Sequence, residues 1–184
     1  MTNSTTMLYA IAAFVLGAFV ALGGEHLFFK HKDQRDAMAT IAAFQDWRLS
    51  CPPRTTKTAS CMMQSAIMQK GTSNVVAELN VAPKDKGQAD TLTIVTPLGV
   101  VLLAGVKLRI GSGDTKTIQF KTCLQMGCVA TLPVEGGFAD SLSRNDGGVI
   151  TIMTADGKSV PLNFSLHGYR DAVAARAVDM AARK

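Results

Sequence analysis

Apolar and polar side chains alternate along most of the chain after residue 44. Alternation with a period of two is typical of β-strands that bury one face. The pair Asp156-Gly157 lies between two such runs and is a strong signal for a tight hairpin. The alternation therefore predicts an antiparallel, β-rich domain. The strand-like runs cover 44–49, 60–69, 77–81, 92–94, 106–110, 118–120, 150–152 and 160–166.

Two segments of the same region have helical character. A short helix is predicted from Val134 to Asn145, and a longer one closes the chain from Gly168 to Arg183. Many short strands followed by a helix predict an antiparallel β-sandwich or open barrel with a C-terminal helix. Apolar residues at helical spacing predict the buried stripe of the C-terminal helix. That stripe consists of Tyr169, Val173, Ala177 and Met180.

The N-terminal pattern is different, because residues 7–24 contain no charged side chain. As a helix, this run would span about 27 Å, close to the roughly 30 Å of a bilayer's hydrocarbon core. The sequence therefore predicts a single transmembrane anchor over residues 1–29. A helical stalk over 30–43 would then lead to a β-rich domain over 44–184.

A cleaved signal peptide is the competing interpretation of the N-terminus. Such peptides begin with positive charge, whereas residues 1–6 contain no Lys or Arg. We therefore favour an uncleaved anchor in the lipid bilayer. Gly17, Ala21 and Gly24 place small residues on the helix surface, a spacing that favours packing against the helix of a membrane-protein partner.

Four cysteines lie in two close pairs, Cys51 with Cys61 and Cys123 with Cys128. Four cysteines allow three pairings, of which two local disulfides are the simplest. Disulfides favour an oxidising compartment such as the periplasm. The basic residues between 30 and 35 favour a cytoplasmic domain under the positive-inside rule, so the two signals conflict. We give the cysteines more weight and place the domain in the periplasm, anchored in the inner membrane.

Thiol redox chemistry or copper handling is an alternative use of the cysteines. Thioethers suit Cu(I), but methionines more often fill protein cores, and we expect neither a metal nor another cofactor. The methionines nearest the cysteines are Met62, Met63, Met68 and Met126.

Candidate catalytic chemistry is sparse. His167, just before the last helix, is the one histidine beyond residue 31, and no nucleophile motif accompanies it. We expect a structural or surface role for it and no catalytic residues. The net charge of +5 can attract anionic lipid, polysaccharide or acidic proteins, although we favour the interpretation that it only keeps the surface soluble. Dispersed basic residues and 6% aromatic content argue against nucleic acid. No motif identifies a small-molecule substrate.

Several motifs, in their order along the chain, resemble the invasion-associated locus B family over about residues 44–182. The motifs are Trp47 with Cys51, Cys61-Met-Met-Gln64, Thr96-Pro-Leu-Gly-Val100, Ala104-Gly-Val106, Cys123-Leu-Gln-Met-Gly-Cys128-Val-Ala130 and Val160-Pro-Leu-Asn-Phe-Ser-Leu-His-Gly-Tyr169. The resemblance implies an alphaproteobacterial envelope protein, exported to the periplasm, with a β-sandwich-like domain. It supplies no catalytic residues. Many members begin with a cleaved signal peptide, from which the apparent anchor is a departure.

Three functions follow as hypotheses. The leading one is a non-enzymatic, membrane-anchored periplasmic binding or accessory protein, such as a subunit of a larger inner-membrane complex. The second is an exported host-interaction factor, as the family name suggests. The third is the thiol-redox or copper-handling protein.

Overall fold

The computed structural model describes residues 39–56, 60–83 and 89–183. The predicted anchor at 1–29 and most of the predicted stalk lie outside these ranges. Within them, no helix is both long and apolar enough to cross a membrane.

Two antiparallel sheets form the domain, as the alternation predicts. The larger sheet has seven strands in the order β1-β2-β3-β4-β5-β9-β8, and the smaller has four in the order β11-β10-β6-β7. Strand β11 packs against β3 and β7 against β9, which brings the two sheets together as a sandwich. The larger sheet consists of β1 (Thr40–Phe44), β2 (Trp47–Cys51), β3 (Met62–Met68), β4 (Val75–Pro83), β5 (Asp90–Thr96), β8 (Phe120–Leu124) and β9 (Gly127–Val134). The smaller consists of β6 (Val106–Ile110), β7 (Lys116–Ile118), β10 (Gly147–Met153) and β11 (Ser159–Ser165).

The strand register explains the core. Leu49, Met63, Val81 and Leu92 are direct partners on four adjacent strands, and all are buried. Alternate residues of β6 and β10 supply the facing layer of branched apolar side chains, including Ile150, which is fully buried. Burying each such side chain contributes roughly 1.5–3 kcal/mol. The apolar face of each sheet therefore turns toward the other sheet.

Two helices complete the domain, and both were predicted. Helix α1 (Gly136–Arg144) follows β9, and helix α2 (Tyr169–Ala181) closes the chain. Helix α2 packs on β1 and β2 and touches α1. The predicted hairpin at Asp156-Gly157 is confirmed as the β10–β11 connection.

The boundary at residue 44 was wrong. Residues 40–43, predicted as the end of a helical stalk, belong to strand β1, and the strand predicted over 44–49 is a hairpin. Its two-residue turn is Gln45-Asp46, with Gln45 at φ +51°. Pairing with β2 overrides the local helical character, and this turn lacks the glycine that usually marks a tight hairpin.

The predicted stripe of helix α2 was also only partly right. Tyr169 is buried, but Ala177 is exposed. The helix turns a different face inward, which carries two charged residues. That buried face consists of Tyr169, Ala172, Arg176 and Asp179.

Candidate functional site

The disulfide Cys51–Cys61 joins neighbouring strands of the larger sheet. Cys51 ends β2, and Cys61 precedes β3 at the position that continues the Ser50–Met62 register by one residue. The Cα atoms are 4.1 Å apart, and both cysteines are at most 1% exposed. The disulfide therefore closes this end of the sheet from inside the core.

Helix α2 reaches this disulfide through a buried carboxylate. Oδ2 of Asp179 lies 3.2 Å from Sγ of Cys61 and accepts a 2.5 Å hydrogen bond from Nε of Arg183. Nη2 of Arg183 also donates to the backbone oxygen of Pro52 at 2.7 Å. The hydrogen bond from Arg183 thus fastens the end of the helix to the segment that follows β2, and the buried ion pair with Asp179 holds the guanidinium in place.

Metal binding does not fit this cluster. Ligand-type atoms of Cys51, Cys61 and Asp179 lie within 4.8 Å of one another. Both sulfurs are in a disulfide, however, and the carboxylate is paired with Arg183. A soft-metal site needs thiolates, which a disulfide does not supply.

A second buried ion pair lies one turn earlier on α2. Nη2 of Arg176 contacts Oδ2 of Asp90 at the start of β5, and Arg176 is only 9% exposed. Burial raises the pKa of Tyr169 to about 12, with the nearby Arg176 charge opposing that rise and Asp90 adding to it. Among the described residues, Nη1 of Arg176 is buried without a hydrogen-bond partner, so Asp90 is the main compensation for its charge.

Trp47 links this helix to both sheets. It is 1% exposed on β2, and its Nε1 donates to the backbone oxygen of Ser165 at the end of β11 at 3.1 Å. Its ring meets the ring of Tyr169 edge to face, with 5.0 Å between centroids. Gly168 precedes the helix at φ +84°, where a Cβ would collide with the backbone oxygen of Phe44. We call the region of Cys51, Cys61, Arg176, Asp179 and Arg183 the stapled end.

The second disulfide, Cys123–Cys128, lies in a different setting. The two cysteines are direct partners in the β8–β9 hairpin, with Cα atoms 3.9 Å apart, and Cys123 is exposed while Cys128 is buried. Gly127, at φ +140°, sits so close to the backbone oxygen of Thr96 that a Cβ would collide with it. The sequence Met-Gly-Cys of the hairpin therefore fits the end of β5 tightly.

Exposed apolar side chains gather at that end of the larger sheet. Seven of the nine large apolar residues exposed among the described ones are found there, and Leu103 reaches 92% exposure. Met68 and Val75 are partners at the β3–β4 hairpin. Continuing the β4–β5 register by three residues places Leu98 beside Val75, and continuing the β5–β9 register by two places it beside Met126. We call this surface the apolar end; it consists of Met68, Val75, Leu98, Leu102, Leu103, Leu124 and Met126.

Charges of both signs surround the apolar end. Asp46, Glu78 and Arg48 line a groove together with Met68 and Val75. Lys70 lies in the β3–β4 loop, and Lys107 is exposed just after the loop that carries Leu102 and Leu103. The neighbouring β10–β11 turn, tied to the same loop by the Val100–Thr154 bridge, contains an ion pair of 2.7 Å between Lys158 and Asp156. The ion pair lowers the pKa of Asp156. Lys70, Lys107 and Arg48 thus slightly outnumber Asp46 and Glu78 beside the apolar end.

The histidine, methionines and cysteines considered as candidate functional residues do not lie together in one site. The exposed His167 side chain has Nε2 3.9 Å from Asp146, at the surface before α2. Met63 is buried in the core, whereas Met126 is 76% exposed at the apolar end. Both predicted local disulfides are present, so all four cysteines are oxidised. The packing residues Gly17, Ala21 and Gly24 lie outside the described residues.

Sequence reasoning missed both surfaces. The spacing of Asp179 and Arg183, four residues apart, was an available signal for an intrahelical ion pair. Nothing in the sequence indicated that this pair is buried. The Leu102-Leu103 pair was visible, but alternation alone assigns apolar residues to the core.

The fold and its two cross-strand disulfides define the class as a disulfide-braced antiparallel β-sandwich closed by a C-terminal helix. A family model described as "Invasion associated locus B (IalB) protein" matches residues 47–177. An invasion protein B homolog from Brucella abortus (strain 2308) is 31% identical over 129 residues, covering 68% of this chain and 72% of the relative. A homolog from Brucella abortus biovar 1 (strain 9-941) gives the same values.

The chain therefore belongs to the invasion-associated locus B family, which confirms the resemblance. A solved structure, that of invasion associated protein b from Bartonella henselae, superposes with a TM-score of 0.63. It covers 76% of this chain and 96% of that chain at 17% identity, and so supports the fold alone.

Proposed function

We propose that this chain is a non-enzymatic binding or accessory protein of the bacterial envelope, held at the inner membrane by residues 1–29, with its domain in the periplasm. The observation that carries the binding role is the apolar end. Contiguous exposed apolar patches above roughly a few hundred Å² are rare on monomeric proteins and mark interaction sites. Here seven large side chains, each about half exposed or more, crowd one end of a sheet.

The stapled end supports a structural role for the buried charges. Asp179 is engaged by Arg183, and Arg176 by Asp90, so these groups hold α2 in place. Catalytic acids and bases, in contrast, face a cleft where substrate reaches them. The binding role therefore falls to the apolar end rather than to the ionisable cluster.

The proposed compartment rests on the cysteines. Both pairs form disulfides between adjacent strands, and such bonds persist in oxidising compartments. The anchor rests on the uncharged run at 7–24. Within a larger membrane complex, Gly17, Ala21 and Gly24 would allow close approach of a partner helix.

Cross-linking in native membranes tests this function. Gentle detergent extraction of the tagged full chain, followed by mass spectrometry, reads both the intact mass and the cross-linked partners. We expect a full-length chain joined to one defined membrane protein through residues 7–29. The double substitution Gly17→Leu and Ala21→Leu should abolish that product, while Ala12→Leu on another face of the helix should retain it. A cleaved, soluble chain without a membrane partner would contradict the proposal.

The names of the relatives favour a second candidate, an exported host-interaction factor. Both curated relatives are called invasion protein B homologs. This function requires release from the inner membrane. Mature chain that lacks residues 1–24 and is recovered at the cell surface or in the medium would favour it over the accessory role.

A further inference from the structure

We propose that the apolar end inserts into the interfacial region of a bilayer containing anionic lipid. This inference deepens the proposed function by naming the partner of that surface. It also orients the domain, because the surface that binds the lipid is the end of the sandwich farthest from the stapled end.

The shape of the apolar end suits a lipid interface. Its most exposed side chains project from connections: Leu102 and Leu103 from a 3-10 turn, and Met126 from the β8–β9 hairpin. Leu103 is 92% exposed and Met126 76% exposed, so no described residue covers them. Projecting apolar tips need no complementary shape in the partner, which a fluid interface does not offer.

A small excess of positive charge favours anionic lipid as the occupant. Lys70, Lys107 and Arg48 lie beside the apolar end with the acidic Asp46 and Glu78, and Asp156 in the neighbouring turn is paired with Lys158. A lysine near an anionic bilayer surface gains attraction that adds to apolar burial.

Tryptophan quenching by lipid tests the insertion. The probes are Leu103→Trp and Met126→Trp in the full chain, reconstituted into vesicles of brominated phosphatidylcholine with or without phosphatidylglycerol. The native Trp47 is 1% exposed in the core and gives a constant background. Val178→Trp is the matched control, because Val178 is 71% exposed on α2 and lies away from the apolar end. We expect at least about twofold stronger quenching at positions 103 and 126 than at 178 in vesicles with phosphatidylglycerol.

A charge-reversal variant tests the choice of lipid. Lys70→Glu with Lys107→Glu should weaken quenching of the Met126→Trp probe in anionic vesicles and leave it unchanged in neutral ones. Quenching equal to that of the control would overturn the insertion. So would probes that become shielded from water without lipid quenching, as contact with a protein or a second copy would produce. Equal quenching in both lipids, insensitive to the charge reversal, would overturn the anionic preference.

The same samples separate this inference from the function on which it rests. Flotation of the full chain with vesicles and its intact mass report on the anchor, whereas quenching reports on the apolar end. A chain that floats without quenching at 103 and 126 contradicts only the insertion. A cleaved chain that still shows quenching contradicts only the anchor.

Discussion

The two ends of the larger sheet invert the usual distribution of side chains. At the stapled end, the charged residues Arg176 and Asp179 are buried against the sandwich. At the apolar end, Leu103 and Met126 are in solvent. Each end also has a cross-strand disulfide. The two disulfides are thus similar, but one lies beside buried charges and the other beside exposed apolar side chains.

The difference separates stability from binding. A buried ion pair contributes little over an apolar contact but is costly to break, because the remaining charge stays buried. Exposed leucines, in contrast, contribute almost nothing to folding and are removable at little cost. We infer that the stapled end fixes how the helix docks and that the apolar end is available for a partner. Three measurements can break or sharpen this comparison.

The largest effect is expected at the stapled end. Removing the buried disulfide with Cys51→Ala and Cys61→Ala should lower the free energy of unfolding by about 4 kcal/mol. Loss of a cross-link over 10 residues accounts for about 2.7 kcal/mol in the chain-entropy treatment, and the vacated core space adds to it. Urea unfolding of the full chain in detergent, followed by circular dichroism, measures the change. A loss below that of the other disulfide would contradict the comparison.

A smaller loss is expected at the apolar end. Cys123→Ala with Cys128→Ala should cost about 2 kcal/mol, because the bond spans 5 residues and one cysteine is already exposed. Helix α2 lies elsewhere, so hydrogen exchange of its amides should not change locally. Faster hydrogen exchange of the α2 amides in this variant would show that the two ends are coupled, contrary to the comparison.

The smallest effect is a pH dependence that arises at the first residue of helix α2, Tyr169. Burial raises the pKa of Tyr169 from 10.0 to about 12. Between these values the unfolded chain loses the phenol proton first, so the stabilising contribution is complete below pH 10 and is lost as pH rises through about 12. We expect the melting temperature to fall less steeply over this window in Tyr169→Phe than in the native chain. Equal slopes would show that the phenol is not held neutral by burial.

The sequence predicted those features that depend on local pattern. Alternation in β6, β10 and β11 identified strands, and Asp156-Gly157 identified their hairpin, because pleating and turn chemistry are local. The cysteine pairs followed from spacing. The β1–β2 hairpin did not, since residues 40–44 become a strand only by pairing with β2. Nor did the buried face of α2, because Arg176 is buried only where Asp90 meets it, 86 residues away.

The apolar end was beyond prediction for a related reason. Its members come from three separate connections, which meet only when the strand registers are known. A pattern along the chain assigns a leucine to a face of an element but not to the same end as a distant methionine. Assigning a surface therefore required the topology, whereas assigning the fold class did not.

The docking of helix α2 has a consequence for the order of events during synthesis. Trp47 bonds to Ser165 and Cys61 touches Asp179, each pair 118 residues apart, and Pro52 bonds to Arg183 across 131 residues. The first strands of the domain must therefore wait, incompletely covered, until helix α2 and Arg183 have been synthesised. This interval is when Cys51 and Cys61 are most accessible to oxidation, before the helix covers them.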